Sequence, residues 1–277
     1  MHLLIAHETV YRYELPPTRS TQYLRLTPQS DARQRVLRWA LGLPARASES
    51  RDAYGNVMHV LTLDRPGLEI HLQARGEVDT EDGPPQPDAQ DGLPAPLFLR
   101  ESPLTQPDAA LREFVQRCTG APGSQEPLAA LHTLMQALGE HMPYTPGVTD
   151  AATPAAQAFA SRLGVCQDHA QVFVTCARLL GLPARYVSGY LAADAEHVAS
   201  HAWAEVRLPG PAGGWLGFDV SNQCLAGGRY VKLAIGADYL DACPVRGMRL
   251  GGGGEILHTL VQVTLAGQEA QAQQEQQ

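Results

Sequence analysis

Gly164-Val165-Cys166-Gln167-Asp168-His169-Ala170 leads into a run, Gln167 to Leu180, whose apolar residues recur at helical spacing and which stops at Gly181-Leu182-Pro183. A glycine and a proline just past the last periodic residue are helix-stop chemistry, so the stretch predicts a helix with Cys166 at its start. Beyond it the period changes. Ala184 to Leu191, Ser200 to Leu208 and Trp215 to Val220 are apolar or alternating runs bounded by turn residues and predict strands.

Upstream of this stretch, Asp108 to Cys118 and Pro127 to Glu140 also carry helical spacing, the second with proline in its first turn. A third helix is expected over Ala151 to Arg162, which contains a Thr-Pro step. Asp79 to Pro96, dense in Asp, Gly, Pro and Gln, reads as a linker. From His2 to Val78 short alternating runs such as Val10-Tyr-Arg-Tyr13, Tyr23-Leu-Arg-Leu26, Val36-Leu-Arg-Trp-Ala-Leu41 and Val57-Met-His-Val-Leu-Thr-Leu63 predict an all-β module. Asp52-Ala-Tyr-Gly-Asn56 supplies turn chemistry for a hairpin within it. At the far end a last strand, Leu257 to Leu265, follows the glycine run Gly251 to Gly254, which lacks the Lys-Ser/Thr of a phosphate loop. The expected organisation is a β-rich domain over 1–80, a linker over 81–100, the core over 101–266 and a disordered Gln/Glu/Ala tail over 267–277.

The chain has 277 residues, 44% of them hydrophobic and 18% charged, which suits two packed modules. A formal charge of -8 argues against nucleic acid and against an anionic membrane surface, both of which require clustered Lys and Arg. No apolar run approaches the roughly 20 residues needed to cross a bilayer, and the first residues show no basic, then apolar, export signal. The five cysteines, Cys118, Cys166, Cys176, Cys224 and Cys243, include no Cys-x-x-Cys pair and are expected to be reduced thiols in the cytoplasm. Neither His169 nor His197 has the spacing of a zinc ligand relative to Cys166, so no metal and no cofactor is expected. Cys176, inside the helix, is read as packing.

A cysteine at a helix start is either a small buried hydrophobe or a thiol made more acidic by unpaired N–H groups and the positive end of the helix dipole. Alternation in Ser200-His-Ala-Trp-Ala-Glu-Val-Arg-Leu208 places His201, Trp203, Glu205 and Arg207 on one face and the small apolar residues on the other. The histidine face is expected to meet the helix that carries Cys166. The Pro209-Gly-Pro-Ala-Gly213 turn joins this strand to Trp215-Leu-Gly-Phe-Asp-Val220 in a hairpin. If the hairpin is symmetric about Pro211, Asp219 is a diagonal neighbour of His201, about 7–8 Å away between backbones. Asp219 is then expected to accept a proton from Nδ1 of His201 and to leave Nε2 facing the sulfur: nucleophile, base and orienter. Gln167 is a weak oxyanion candidate and Asp168 a helix cap. Trp203 and Trp215 fall on the histidine face, either walling a cleft or covering the hairpin.

Gly164-Val-Cys-Gln-Asp-His-Ala170, Gly181-Leu-Pro-Ala-Arg-Tyr-Val-Ser-Gly-Tyr190, Ser200-His-Ala-Trp-Ala-Glu-Val206 and Gly214-Trp-Leu-Gly-Phe-Asp-Val-Ser-Asn222 together resemble the core of the bacterial transglutaminase-like proteins. Pro143-Tyr-Thr-Pro-Gly147 resembles the segment leading into that core. His7-Glu-Thr-Val-Tyr-Arg-Tyr13, Leu24-Arg-Leu-Thr-Pro28 and Asp52-Ala-Tyr-Gly-Asn56 resemble the β-rich N-terminal domain of the same proteins. The resemblance implies an α+β fold, a papain-like cysteine-protease core after the β-rich domain, with Cys166 as nucleophile, His201 as base and acid and Asp219 as orienter. Two positions depart from the family pattern: Asp-Pro-Thr-Asn is here Asp219-Val-Ser-Asn222, and an aromatic after Cys-Gln-Asp is here His169.

Two functions are therefore carried forward. One is thiol-dependent acyl transfer on a carboxamide or peptide bond of a protein or peptide substrate, through a thioester that water or an amine resolves. The other is a non-catalytic interaction scaffold of the same fold, which a missing triad residue would favour.

Overall fold

A computed structural model describes residues 1–88, 92–121, 123–147, 149–192, 200–211 and 213–266. His197 and the tail over 267–277 lie outside the described residues. The first six strands are β1 His2–Tyr13, β2 Pro17–Thr27, β3 Gln34–Gly42, β4 Ser48–Arg51, β5 Val57–Asp64 and β6 Glu69–Thr80. The hairpin expected at Asp52–Asn56 joins β4 to β5, where the Asp52 carboxylate accepts from the backbone N–H of Tyr54 and of Asn56. Helices α1 Ala109–Thr119, α2 Pro127–His141, α3 Ala155–Ser161 and α4 Cys166–Leu179 follow. Asp108 caps α1 through Leu111 N–H, and Pro127 opens α2. The third helix is shorter than expected because Pro154 sits at its N-cap and keeps Thr153 before it out of the helix, leaving Ala151 and Ala152 in a turn.

After α4 come β7 Ala184–Leu191, β8 His201–Arg207, β9 Trp215–Asp219, β10 Cys224–Leu225, β11 Tyr230–Gly236, the single turn α5 Tyr239–Ala242, β12 Val245–Gly251 and β13 Glu255–Leu265. An antiparallel five-stranded sheet runs β10-β9-β8-β7-β11, and two four-stranded sheets, β13-β1-β6-β3 and β12-β2-β5-β4, form the second module. The C-terminal strands, expected with the core, pair instead with β1 and β2, so the core is inserted between β6 and β12. The physical reason is edge closure: β1 and β2 each have one side free once β6 and β5 are paired, and β13 and β12 fill it.

Helix α4 lies on the small-residue face of β8. Ala204 and Val206 pack with Val172, Phe173, Val174 and Phe218, and the rings of Phe173 and Phe218 stack 5.2 Å apart. This corrects the expectation that the helix meets the histidine face: alanines allow a helix close approach, and His201, Trp203 and Glu205 turn to the other side. That other side is covered by the β module. Leu3, Ile5, Val78, Val261 and Val263 pack on Tyr190, Val231 and Leu233 of the five-stranded sheet. Strand β1 serves two cores with one face, since Leu3 and Ile5 meet the five-stranded sheet while Tyr11 and Tyr13 meet Leu24, Leu61 and Ile70 inside the sandwich. His7 and Thr9 mark the changeover, where His7 Nδ1 bonds Tyr190 OH at 2.8 Å and Nε2 bonds Thr9 Oγ1 at 2.8 Å.

The linker is pinned although it has almost no regular structure. Gln86 exchanges two backbone hydrogen bonds with Trp215, at 2.8 and 2.7 Å, and residues 95–99 form one turn of 3₁₀ helix.

Candidate active site

The α4 N-terminus sits against the ends of β8 and β9. The Asp168 carboxylate reaches back to Val165 N–H at 2.9 Å and accepts from Thr149 Oγ1 at 2.7 Å, so it closes the first turn at the expected cap position. Cys166 is partly exposed at the helix start, packed near Tyr186 and Tyr239.

Pairing of β8 with β9 runs Ala204 to Phe218, Glu205 to Gly217, Val206 to Leu216 and Arg207 to Trp215, the register expected from a hairpin centred on Pro211. His201 Nε2 stands 2.6 Å from Asp219 Oδ2. The ring is therefore turned over relative to expectation: Nε2 meets the carboxylate, and Nδ1 is the nitrogen left for the sulfur. A ring attached through Cγ has Nδ1 nearer its own backbone, and the longer reach across to β9 falls to Nε2. Burial alone would push the imidazole down, but the Asp219 hydrogen bond and the nearby Cys166 sulfur outweigh it, and the pKa is raised to about 9.

Asp219 is fully buried and held from four directions. Oδ2 accepts from His201, from Asn222 Nδ2 at 2.7 Å and from Tyr230 OH at 2.8 Å, and Oδ1 accepts from Asn222 N–H at 3.2 Å. Burial pushes its pKa up, yet these donors and the His201 charge bring it below the usual carboxylate value. The turn after Asp219 is itself tied down. Ser221 bonds His169 Nδ1 at 2.9 Å, and Gln223 Nε2 donates to Met135 O at 2.9 Å across Gly139. The two departures from the family pattern, His169 and Ser221, thus touch each other.

The remaining candidates divide. Trp203 lies flat behind the site, its ring stacked 6.3 Å from His201 and met edge-on by Tyr230 at 5.3 Å. It lies flat because the flanking strands offer Gly189 and Gly217, where an added Cβ would meet the indole at 2.6 and 3.2 Å. Trp215 is at the other end of the hairpin, with Nε1 donating to Asp88 at 2.9 Å and its ring under the Arg185 guanidinium at 4.0 Å; it covers the linker. Gln167 donates its amide to Asp150 O at 3.2 Å. Tyr144, more than half exposed, was not foreseen; its hydroxyl feels the charges of Cys166 and Asp219. Tyr230 was also missed, because it starts β11, at the opposite edge of the sheet from β10, and nothing local in sequence marks such a contact.

A helix start thus carries a thiol beside a buried imidazole and carboxylate. Residues 112–220 match the transglutaminase-like superfamily, and residues 3–79 match the bacterial transglutaminase-like N-terminal region. An uncharacterised protein of Mycobacterium tuberculosis is 34% identical over 275 residues, spanning 88% of this chain and 86% of its own. One from Mycobacterium leprae is 30% identical over 283 residues, spanning 94% and 97%. A solved structure from Cytophaga hutchinsonii, described as a candidate cysteine protease, superposes with TM-score 0.77 at 20% identity over 95% of this chain and 90% of that one. The chain belongs to the bacterial transglutaminase-like family, and its fold is the α+β, papain-like one expected from the sequence.

Proposed function

We propose that the protein is a thiol-dependent acyl transferase or hydrolase acting on a carboxamide or peptide bond of a protein or peptide substrate, with Cys166 as nucleophile, His201 as acid and base and Asp219 as orienter. The observation that carries this reading is a buried imidazole bonded to a carboxylate at 2.6 Å on one side and acted on by the Cys166 sulfur on the other, with its proton affinity raised. An imidazolium of this kind stabilises a thiolate, and the helix start adds its positive dipole end. The thiolate attacks the carbonyl carbon, and backbone N–H groups of the first helical turn stand beside the developing oxyanion. His201 then protonates the departing amine, leaving a thioester. Water or a second amine attacks the thioester, gives up its proton to His201 and frees the sulfur.

The other cysteines are poorly suited. Burial pushes the thiols of Cys118, Cys176 and Cys243 up, and the exposed Cys224 has a tyrosine hydroxyl, not an imidazole, beside it. Titration with iodoacetamide across pH, followed by mapping, tests the reading: Cys166 is expected to be alkylated selectively below pH 7, and the selectivity to disappear in His201→Ala. Five cysteines reacting alike would favour the scaffold reading.

A further inference from the structure

Strand β7 sends one large side chain towards α4. Tyr186 stands opposite Ala204 of β8, which packs against the helix, so the two share that face of the sheet. Its neighbours on the same face of β7 are the small Ala184 and Ser188. The ring occupies a slot made by four alanines, Ala170, Ala202, Ala234 and Ala242, with Cys166 and Tyr239 packed against the group. Ala170 is one helical turn beyond Cys166, which carries the slot back towards the helix start. Neighbours reduced to a methyl group make room for an aromatic ring, and phenylalanine would fill that room equally well. The hydroxyl is the part of Tyr186 that packing does not explain.

The hydroxyl hydrogens around the site can be assigned in turn. Tyr230 donates to the Asp219 carboxylate, which only accepts. Cys243 has a single hydrogen and the Val245 carbonyl takes it, so Tyr239 donates to the Cys243 sulfur. Tyr144 is more than half exposed, and solvent reaches it. Tyr186 is 1% exposed, and its hydroxyl makes no hydrogen bond with any described residue. Nor is that oxygen sealed in, as the unpaired Tyr13 hydroxyl is. Among the charges acting on it, that of the Cys166 sulfur comes first, ahead of Tyr239, Cys243 and Asp168. Burial and these charges push its pKa well above the usual value, so the hydroxyl keeps its hydrogen and can only lend it. It stands off from the sulfur, with no hydrogen bond between them, and a carbonyl oxygen under attack likewise lies beside the sulfur and not on it.

We propose that the Tyr186 hydroxyl is a further catalytic donor, giving a side-chain hydrogen bond to the oxyanion that forms when Cys166 attacks a carbonyl. It acts together with the backbone N–H groups of the first turn of α4. The thiolate sulfur bonds to the carbonyl carbon, the carbonyl electron pair moves onto oxygen, and Tyr186 meets that charge without surrendering its proton. When the pair returns, the leaving group departs with its bonding electrons and the thioester remains. The inference rests on Cys166 being the nucleophile and adds a residue to its chemistry.

Two reagents separate this role from any effect on the thiol itself. Iodoacetamide is attacked at a saturated carbon, where sulfur displaces iodide and no oxyanion forms. With p-nitrophenyl acetate the attack is on a carbonyl, and an oxyanion forms before p-nitrophenolate leaves. Both rates are measured at pH 7 on the full chain, less the rate of Cys166→Ala, and taken as the ratio of acetylation to alkylation, because a smaller folded fraction lowers both alike. In Tyr186→Phe the ratio is expected to fall about 10²-fold, the lower end of what one lost oxyanion donor costs, with alkylation unchanged. In Tyr144→Phe the ratio is expected to stay at the parent value. An unchanged ratio in Tyr186→Phe, or a fall confined to Tyr144→Phe, overturns the assignment while leaving Cys166 as nucleophile. Failure of iodoacetamide to select Cys166 in the parent overturns the proposed nucleophile instead.

Discussion

Oδ2 of Asp219 accepts three side-chain hydrogen bonds within 2.6–2.8 Å, and that concentration of donors on one atom sets the behaviour of His201. Because the folded-state pKa of His201 lies near 9, above the ordinary 6.5, the fold binds this proton more tightly than the unfolded chain does. Stability from the pair is therefore complete below about pH 6.5 and is lost as pH rises to about 9. Asp219→Asn removes the carboxylate that holds the proton. Its melting temperature should change less than that of the parent between pH 6.5 and 9, and parallel curves would refute the pairing. The same variant should slow thioester formation by about 10²-fold or more, the scale of losing an oriented acid–base group, measured by single-turnover acylation. At this scale much was legible. The start of α4 at Cys166 and the register that brings His201 near Asp219 followed from helical spacing and a hairpin count, whereas the face of β8 that meets α4 did not. The ring orientation was not legible, since a count gives registers and not which nitrogen reaches furthest. Tyr230 was not, since its contact crosses the sheet.

The turn Val220 to Gln223 shows how a neighbouring element supports the site. Gly139 sits inside α2, where glycine costs about 1 kcal/mol relative to alanine, and an added Cβ there would meet Gln223 Nε2 at 2.2 Å. Gly139→Ala should consequently leave the melting temperature unchanged or higher while lowering the rate of Cys166 acylation several-fold, because Gln223 loses its hold on α2 and the turn bearing Asp219 loosens. Equal rates in the two proteins would show that the turn needs no anchor. Helix positions were legible from periodicity to within a few residues, and β7 from its apolar run. Strands β10, β11 and β12 were not foreseen: β10 is two residues long, and the β12 sequence, Val245-Arg-Gly-Met-Arg-Leu-Gly251, has glycines and charges where a strand signal would stand.

Across the molecule the two modules share a buried interface, and the buried His7 within it predicts acid sensitivity. Burial holds the His7 pKa down, near 4, so the fold binds this proton less tightly than the unfolded chain. That contribution to stability is present above about pH 6.5 and lost as pH falls towards 4, amounting to about 3 kcal/mol for a shift of this size. His7→Gln should flatten the acid limb of a denaturation profile, and an unchanged slope would place the titrating group elsewhere. Leu3, Ile5 and Val78 are buried against the five-stranded sheet, and burial of such side chains is worth about 1.5–3 kcal/mol each, a sum comparable with the 5–15 kcal/mol that holds a whole domain folded. A fragment spanning 101–266 should fail to give a cooperative melt and should bind a hydrophobic dye, as calorimetry and fluorescence would show. Two modules were legible in the change of period near the linker. Their interlocking was not, because which strand closes an open sheet edge is decided by the assembled sandwich and not by local sequence.

Leu3 pairs with Leu265 and Tyr13 with Glu255. During synthesis β1 emerges first and waits, one side bare, until everything that β13 encloses has been translated. The face of the five-stranded sheet that rests on this sandwich therefore gains its full cover only after β13 has been translated.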